Sequence, residues 1–182
     1  MVKYVGNCDV IDWKLLLKQL KDQEPAYIGP RHKAGDPIEG VDEVAEMWKN
    51  AGYKTIHEGG NAGWDMFLPG INFSEEIAFQ FANWLGLKSY TNVWISRIHP
   101  GKMAPWHWDV TDDETTLKGK EILRYHCHMT DPEIGHVLIV DNHCLYNQEI
   151  GNTYQWNSRT SWHAGSNCGM TPKYLFNFWH CI

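Results

Sequence analysis

The sequence has little of what marks a secreted, membrane-spanning or nucleic-acid-binding protein. Its five cysteines (Cys8, Cys127, Cys144, Cys168, Cys181) are odd in number and widely spaced, with no C-x-x-C among them. That excludes a disulfide scaffold and a cysteine-type zinc site, and makes reduced thiols in a cytoplasmic compartment the expectation. Long apolar runs are missing, and stretches such as Val137–Val140 are far too short to cross a membrane. The opening MVKYVGNCDVIDW lacks an apolar h-region, so no signal peptide is expected. Basic residues are outnumbered, 16 against 22 acids for a net charge of −6, which is the wrong sign for a nucleic-acid or anionic-membrane binder. Low-complexity segments, heptads and internal repeats are absent. The Gly-rich stretch Gly59-Gly60-Asn61-Ala62-Gly63-Trp64 is not followed by Lys-Ser/Thr, so it is no phosphate loop and reads instead as a substrate-side loop.

What remains is an ordinary globular composition with two excesses. The 182 residues suit one domain, 1–182, and the 43% hydrophobic and 21% charged contents rule out wholesale disorder. Tryptophan and histidine each occur 10 times, which permits metal or acid–base chemistry without establishing it. Residues 1–90 read as a mixed, helical portion. Asp12 caps a helix from Trp13 to about Lys21, Val41–Asn50 forms a second with Met47 and Trp48 inward, and Ser74 caps Glu75–Leu85, which Gly86 ends. Asn72-Phe73-Ser74 fits the glycosylation pattern but reads as a helix start.

From residue 91 to 182 the grammar is that of short strands: Val93–Ile98, Ile122–Met129, His136–Asp141, Thr153–Trp156 and Lys173–Trp179, separated by turn residues. The 88 residues from Val93 to His180 are close to the roughly 83 that eight strands and seven loops require. The expected fold is therefore α+β and β-rich: N-terminal helices packed on an eight-stranded jelly roll, cupin-like in class.

Chemistry concentrates in this half. In Trp106-His107-Trp108-Asp109, residues two apart on a strand share a face, so His107 and Asp109 stand side by side with Trp106 and Trp108 opposite. His163, 56 residues downstream, is the candidate third ligand. Two imidazoles and one carboxylate hold one triangular face of an octahedral ion, the arrangement of non-haem Fe(II) oxygenases. The H-x-D pair alone is also what chance produces on a surface. On Ile122–Met129, Arg124, His126 and His128 alternate with apolar residues and form either a solvated stripe or the wall of an anion pocket. Lys173 lies ten residues beyond His163 on another expected strand, where it is a solvated edge residue or a partner for a distal carboxylate. Trp106, Trp108 and Trp162 flank the ligands, with core packing the preferred reading. Asn167 and Ser161 are either partners of His163 or turn residues.

These residues in this order resemble the aspartyl/asparaginyl β-hydroxylase family of Fe(II)/2-oxoglutarate-dependent oxygenases. The resemblance lies in Ser96-Arg97-Ile98-His99-Pro100-Gly101 with His107 eleven residues after Ser96, in Arg124-Tyr125-His126 as R-x-H, in His163 with Asn167 as H-x-x-x-N, and in the closing run Lys173-Tyr174-Leu175 to Phe178-Trp179-His180. It covers about residues 93–180. It implies a double-stranded β-helix, Fe(II) on His107 and His163, 2-oxoglutarate contacts from Ser96, Arg124 and His126, and Lys173 on the distal carboxylate. Two positions depart from the pattern. Asp109 completes a triad whose carboxylate the best-known animal members lack, and Lys173 stands where the family usually has Arg, without its bidentate fork. The implied activity uses dioxygen and 2-oxoglutarate to hydroxylate an Asp, Asn or Pro side chain of a peptide, or a small amino-acid-like molecule. Two other readings compete. One is a cupin-type metalloenzyme without 2-oxoglutarate, built on His126, His128, Glu133 and His163. The other is a non-catalytic jelly-roll binding module with Trp stacking platforms.

Overall fold

Period-two alternation runs through the second half of the chain and sorts its side chains into two layers. The computed structural model describes residues 1–29, 41–109 and 120–182. Among them the order is β1 (Lys3–Asn7), α1 (Trp13–Leu20), β2 (Tyr27–Gly29), α2 (Val41–Asn50), β3 (Trp64–Phe67), α3 (Glu75–Trp84), β4 (Asn92–Ile98), β5 (Met103–His107), β6 (Ile122–His128), β7 (His136–Val140), β8 (His143–Tyr146), β9 (Asn152–Asn157), β10 (His163–Asn167) and β11 (Lys173–Cys181). The three expected helices are present. Asp12 accepts from the Leu15 amide and Ser74 from the Glu76 amide, so both capping residues work as the sequence suggests.

Two antiparallel sheets face one another. The larger runs β1-β9-β6-β11-β4-β3-β2 and the smaller β5-β10-β7-β8. Within them, β4 to β11 are the eight strands expected of the jelly roll; the chain crosses between the sheets at every step except β7 to β8, a hairpin inside the smaller sheet, and so traces a double-stranded β-helix. The chain before residue 91 carries three short strands besides these helices. β1, β2 and β3 extend both edges of the larger sheet, and β1 does so across a bulge at Gly6. Asn72 spends its side chain on this frame: its carbonyl accepts from the Leu68 amide, and its amide donates to Glu24 O and Gln23 Oε1.

The two faces of the larger sheet bury different chemistry. Tyr125 and Cys127 of β6, with Tyr174, Phe176 and Phe178 of β11, point outward into a core closed by Trp13, Leu16 and Leu20 of α1 and Ala78, Phe81 and Ala82 of α3. Arg124, His126 and His128, with Lys173 and Asn177, are buried on the opposite face, toward the smaller sheet. Both faces of β6 and β11 are therefore covered, and the basic stripe is no solvated edge. Phe176 is fully buried among the rings of Trp13, Phe73 and Phe81. Phe176→Ala is expected to cost about 3–5 kcal/mol in a denaturant titration, because rings from separate elements cannot collapse into the hole. A loss below 1 kcal/mol would mean that this core is not what holds the helices on the sheet.

The step from one sheet to the other is made by His99-Pro100-Gly101-Lys102. The Lys102 amide donates to His99 O (3.0 Å), and Gly101 has φ +75°. Proline pre-sets the first corner and glycine takes the left-handed second corner, as a type II turn demands. This reversal delivers β5 to the smaller sheet with His107 at its end.

Candidate metal centre

β5 and β10 are hydrogen-bonded neighbours, and in their register His163 lies directly opposite His107. Strand pairing thus closes the 56-residue gap and brings the imidazole centroids to 4.3 Å. β5 ends at His107, so Asp109 is not held by the strand alternation expected for it. Two contacts to the β9–β10 connection place it instead: its amide donates to Ser158 O (3.3 Å), and the Ser158 hydroxyl donates to its carboxylate (2.6 Å). The ligand atoms of His107, Asp109 and His163 all lie within 4.8 Å of one another, the group of three acid or imidazole ligands that converges among the described residues.

Both imidazoles are prepared as donors. His107 Nδ1 is 2.6 Å from Pro105 O, and His163 Nδ1 is 3.2 Å from Ser161 O. A carbonyl only accepts, so Nδ1 carries the proton and Nε2 keeps its lone pair. Burial keeps each ring neutral and is the leading cause of its lowered pKa, although Asp109 opposes it. For Asp109 burial acts to raise the pKa, but Arg124, the two histidines and Ser158 outweigh it, and the carboxyl sits well below the usual range. The set is a carboxylate and two neutral imidazoles, which fits a divalent ion such as Fe(II).

The partner at this centre is a guanidinium. Arg124 Nη1 donates to both Asp109 oxygens (2.7 and 2.6 Å) and lies 2.7 Å from His163 Nε2. Its Nη2 donates to Asn177 Oδ1 (2.9 Å). Asn177 in turn donates to the Ser96 hydroxyl (3.0 Å), which also accepts from Trp94 Nε1 (3.0 Å). Ser96 is therefore a buried support of Asn177. Deeper in the lumen are polar groups with no carboxylate among their contacts to the described residues. Neither nitrogen of His126, nor His128 Nε2, nor Trp156 Nε1 has a hydrogen-bond partner. Lys173 is fully buried and donates to Val137 O (2.7 Å). Burial pulls its pKa from 10.5 to about 7, and burial with the nearby Lys173 and His136 takes His128 to about 3. Unpartnered donors and an uncompensated cation inside a barrel form a pocket suited to an anion.

Several expectations are corrected here. Trp106, Trp108 and Trp162 are not core residues. They pack on one another at the rim, with Trp106–Trp162 near-parallel at 6.4 Å and Trp108–Trp162 edge-on at 4.5 Å, and Trp106 is 38% exposed. Asn167 does not touch His163; its amide donates to Ile98 O and Thr171 O and ties strand ends together. Ser161 supports His163 through its carbonyl. The Gly-rich stretch is pinned to β5 by Gly63 N to Met103 O (2.8 Å) and Met103 N to Asn61 O (2.9 Å). Glu133 binds the Thr171 amide and hydroxyl and the Met170 amide, away from His126 and His128, so the cupin-type set is not assembled. Accordingly, His128→Leu is expected to leave divalent-metal affinity within about twofold in calorimetry, since His128 touches no ligand of the triad. A loss of binding would revive that set.

Trp48 reads as an inward helix residue and Trp64 as the end of the Gly-rich stretch, but nothing in the residue order ties either to His107, which the two clamp. Trp64 stacks on the imidazole at 6.3 Å and 17°, Trp48 meets it edge-on at 5.5 Å, and Trp48 Nε1 donates to Trp106 O (3.1 Å). Ser158 and Asn177 were also missed. None of the four has a motif, because each acts through a neighbour that only folding supplies.

Neither a protein-family model nor a curated protein sequence matches the chain. Solved structures do. A prolyl hydroxylase from Trichoplax adhaerens, in complex with a peptide fragment of the hypoxia-inducible factor oxygen degradation domain, matches with a TM-score of 0.54 at 10% identity, over 98% of this chain and 82% of that one. AviO1 from Streptomyces viridochromogenes Tue57 matches with a TM-score of 0.53 at 12% identity, over 98% and 88%. At such identities the likeness is one of fold, and that fold is the double-stranded β-helix.

Proposed function

We propose that the chain is an Fe(II)- and 2-oxoglutarate-dependent oxygenase, most simply a hydroxylase. The carrying observation is the convergence of His107, Asp109 and His163 within 4.8 Å at the mouth of a lumen whose buried cation, Lys173, has no carboxylate partner among the described residues. His107 and His163 would hold the iron through Nε2, and Asp109 through its carboxylate. When bound, iron and keto acid supply the oxidation: dioxygen and 2-oxoglutarate become succinate and carbon dioxide as a substrate C–H becomes C–OH.

The chain's own residues bind, orient and exclude water. Lys173 takes the distal carboxylate of the keto acid as a point charge at the floor of the lumen. His126, neutral and unpartnered, donates to the same ligand. Trp48 and Trp64 fix the plane of His107, and Ser158 fixes the Asp109 carboxylate. Trp106, Trp108 and Trp162 border the opening and shield it. The R-x-H and H-x-x-x-N spacings favour the aspartyl/asparaginyl β-hydroxylase branch. An Asp, Asn or Pro side chain of a peptide is the substrate class proposed, a choice that the fold shared with a peptide-bound prolyl hydroxylase supports.

Anaerobic titration of the chain with Fe(II) and 2-oxoglutarate tests this. A visible metal-to-ligand charge-transfer band is expected, with succinate release once air is admitted. A band that persists in His107→Ala would move the site elsewhere, and no band in the parent chain would end the proposal.

A further inference from the structure

We infer that Arg124 is the exchangeable counter-cation of the triad: it neutralises Asp109 while the site is metal-free, and a divalent ion displaces it into the lumen, where it becomes an anion ligand. The inference rests on the metal site proposed above and adds to it a coupling between metal and carboxylate binding.

Lone pairs decide the exchange. Neutral imidazole has one acceptor nitrogen. On His163 it is Nε2, because Nδ1 faces Ser161 O, and Nε2 is already engaged by Arg124 Nη1 at 2.7 Å. The same Nη1 spans both oxygens of Asp109. An ion bonded at about 2 Å to these atoms needs the same lone pairs. Arg124 and the metal are therefore alternatives at this point, and their like charges reinforce the exclusion.

The guanidinium has a path and a reason to move inward. Its carbon lies over the faces of Trp94 (5.2 Å) and Trp156 (5.5 Å), which lets it slide without losing its aromatic contacts. Asn177 already holds Nη2, and Nε is buried with no partner. His126, two residues along β6, lies on the same face with both nitrogens unpartnered. Among the described residues no second buried carboxylate is free to take the displaced charge. Asp65, the other acid buried among the described residues, is held by Arg97 (2.6 Å) and His99 (2.8 Å). Metal entry would thus leave a buried, unpaired guanidinium, a costly state that an incoming carboxylate relieves. By linkage, the metal tightens anion binding and the anion tightens metal binding by the same factor.

The test needs no turnover. In chelator-treated full-length protein labelled with [15N]arginine, the Arg124 guanidinium resonances are assigned as those missing from Arg124→Lys. Adding Zn(II), a diamagnetic probe, is expected to shift them, and adding 2-oxoglutarate to shift them again. Calorimetry with Zn(II) is expected to show about tenfold or tighter binding in Arg124→Gln, where no cation competes, with Arg124→Lys between. The gain in Zn(II) affinity that 2-oxoglutarate confers on the parent should shrink in Arg124→Gln, because the anion loses its freed partner. Unmoved Arg124 signals together with unchanged Zn(II) affinity, in a chain whose binding is abolished by His107→Ala, would overturn this inference and leave the metal site standing. No Zn(II) binding by the parent would overturn both.

Discussion

Asp109→Asn is expected to lower the stability of the metal-free protein by about 3–5 kcal/mol and to abolish the charge-transfer band and keto-acid turnover. Two separate effects meet at this residue. The carboxylate is the anionic ligand of the triad, and an amide in its place is a poor one. It is also the acid opposite Arg124, a side chain 8% exposed that contacts it through two short hydrogen bonds. Removing it strands a buried cation. His107→Ala is the control: it removes a ligand but strands no charge, so it should lose the metal with a smaller stability cost. Urea titrations in chelator read the first effect, and the optical titration reads the second. An Asn variant within 1 kcal/mol of its parent would show that the Arg124–Asp109 pair contributes nothing net. The pH dependence has a fixed sign. The folded pKa of Asp109 is depressed, so the pair's contribution is present above the ordinary carboxylate range and is lost as pH falls below it.

Lys173→Met is expected to act in opposite directions on stability and on ligand binding. Its ammonium is fully buried, donates to Val137 O and has no carboxylate partner among the described residues; burial lowers the pKa to about 7, against a smaller opposing effect of the Cys144 thiol. Between about pH 7 and the ordinary lysine range near 10.4, the unfolded chain holds this proton and the folded chain does not. Ligand-free stability of the parent therefore rises with pH across that window, and below it the full penalty of a buried charge applies. Methionine fills similar volume without the charge. The ligand-free variant is expected to gain about 2–4 kcal/mol at pH 6, and the gain should fade by pH 10. In return, affinity for 2-oxoglutarate should drop about 100-fold or more, because the distal carboxylate loses its cation. Thermal unfolding with and without 2-oxoglutarate reads both effects: the parent should be stabilised by the keto acid and the variant should not. A variant less stable than the parent at pH 6 would mean that Lys173 has an anionic partner in the folded protein.

Residues whose neighbours are local were the readable ones. The alternation of Arg124, His126 and His128 with Tyr125 and Cys127 is visible in the chain, and it does become two faces of one strand. The capping residues Asp12 and Ser74 act within one helical turn, so composition and spacing suffice for them. Among the described residues the count of eight strands after residue 91 holds because strand and loop lengths are narrow quantities. The sequence could say less about the first half. β1, β2 and β3 are three to five residues long and become strands only because the edges of a larger sheet await them.

By itself the chain's order of residues determined the layers, the helix starts and the identity of the three candidate ligands, since side-chain direction and hydrogen-bonding capacity are properties of a residue and its near neighbours. The tertiary structure alone decided that His163 stands opposite His107, that Ser158 turns Asp109 inward, and that Trp48 and Trp64 clamp a histidine more than forty positions away. It also decided that Arg124 rests on the triad and that Lys173 is buried in the lumen with no carboxylate partner among the described residues. Those facts depend on strand register and on what each buried charge meets, and both are settled by which distant segments pack together.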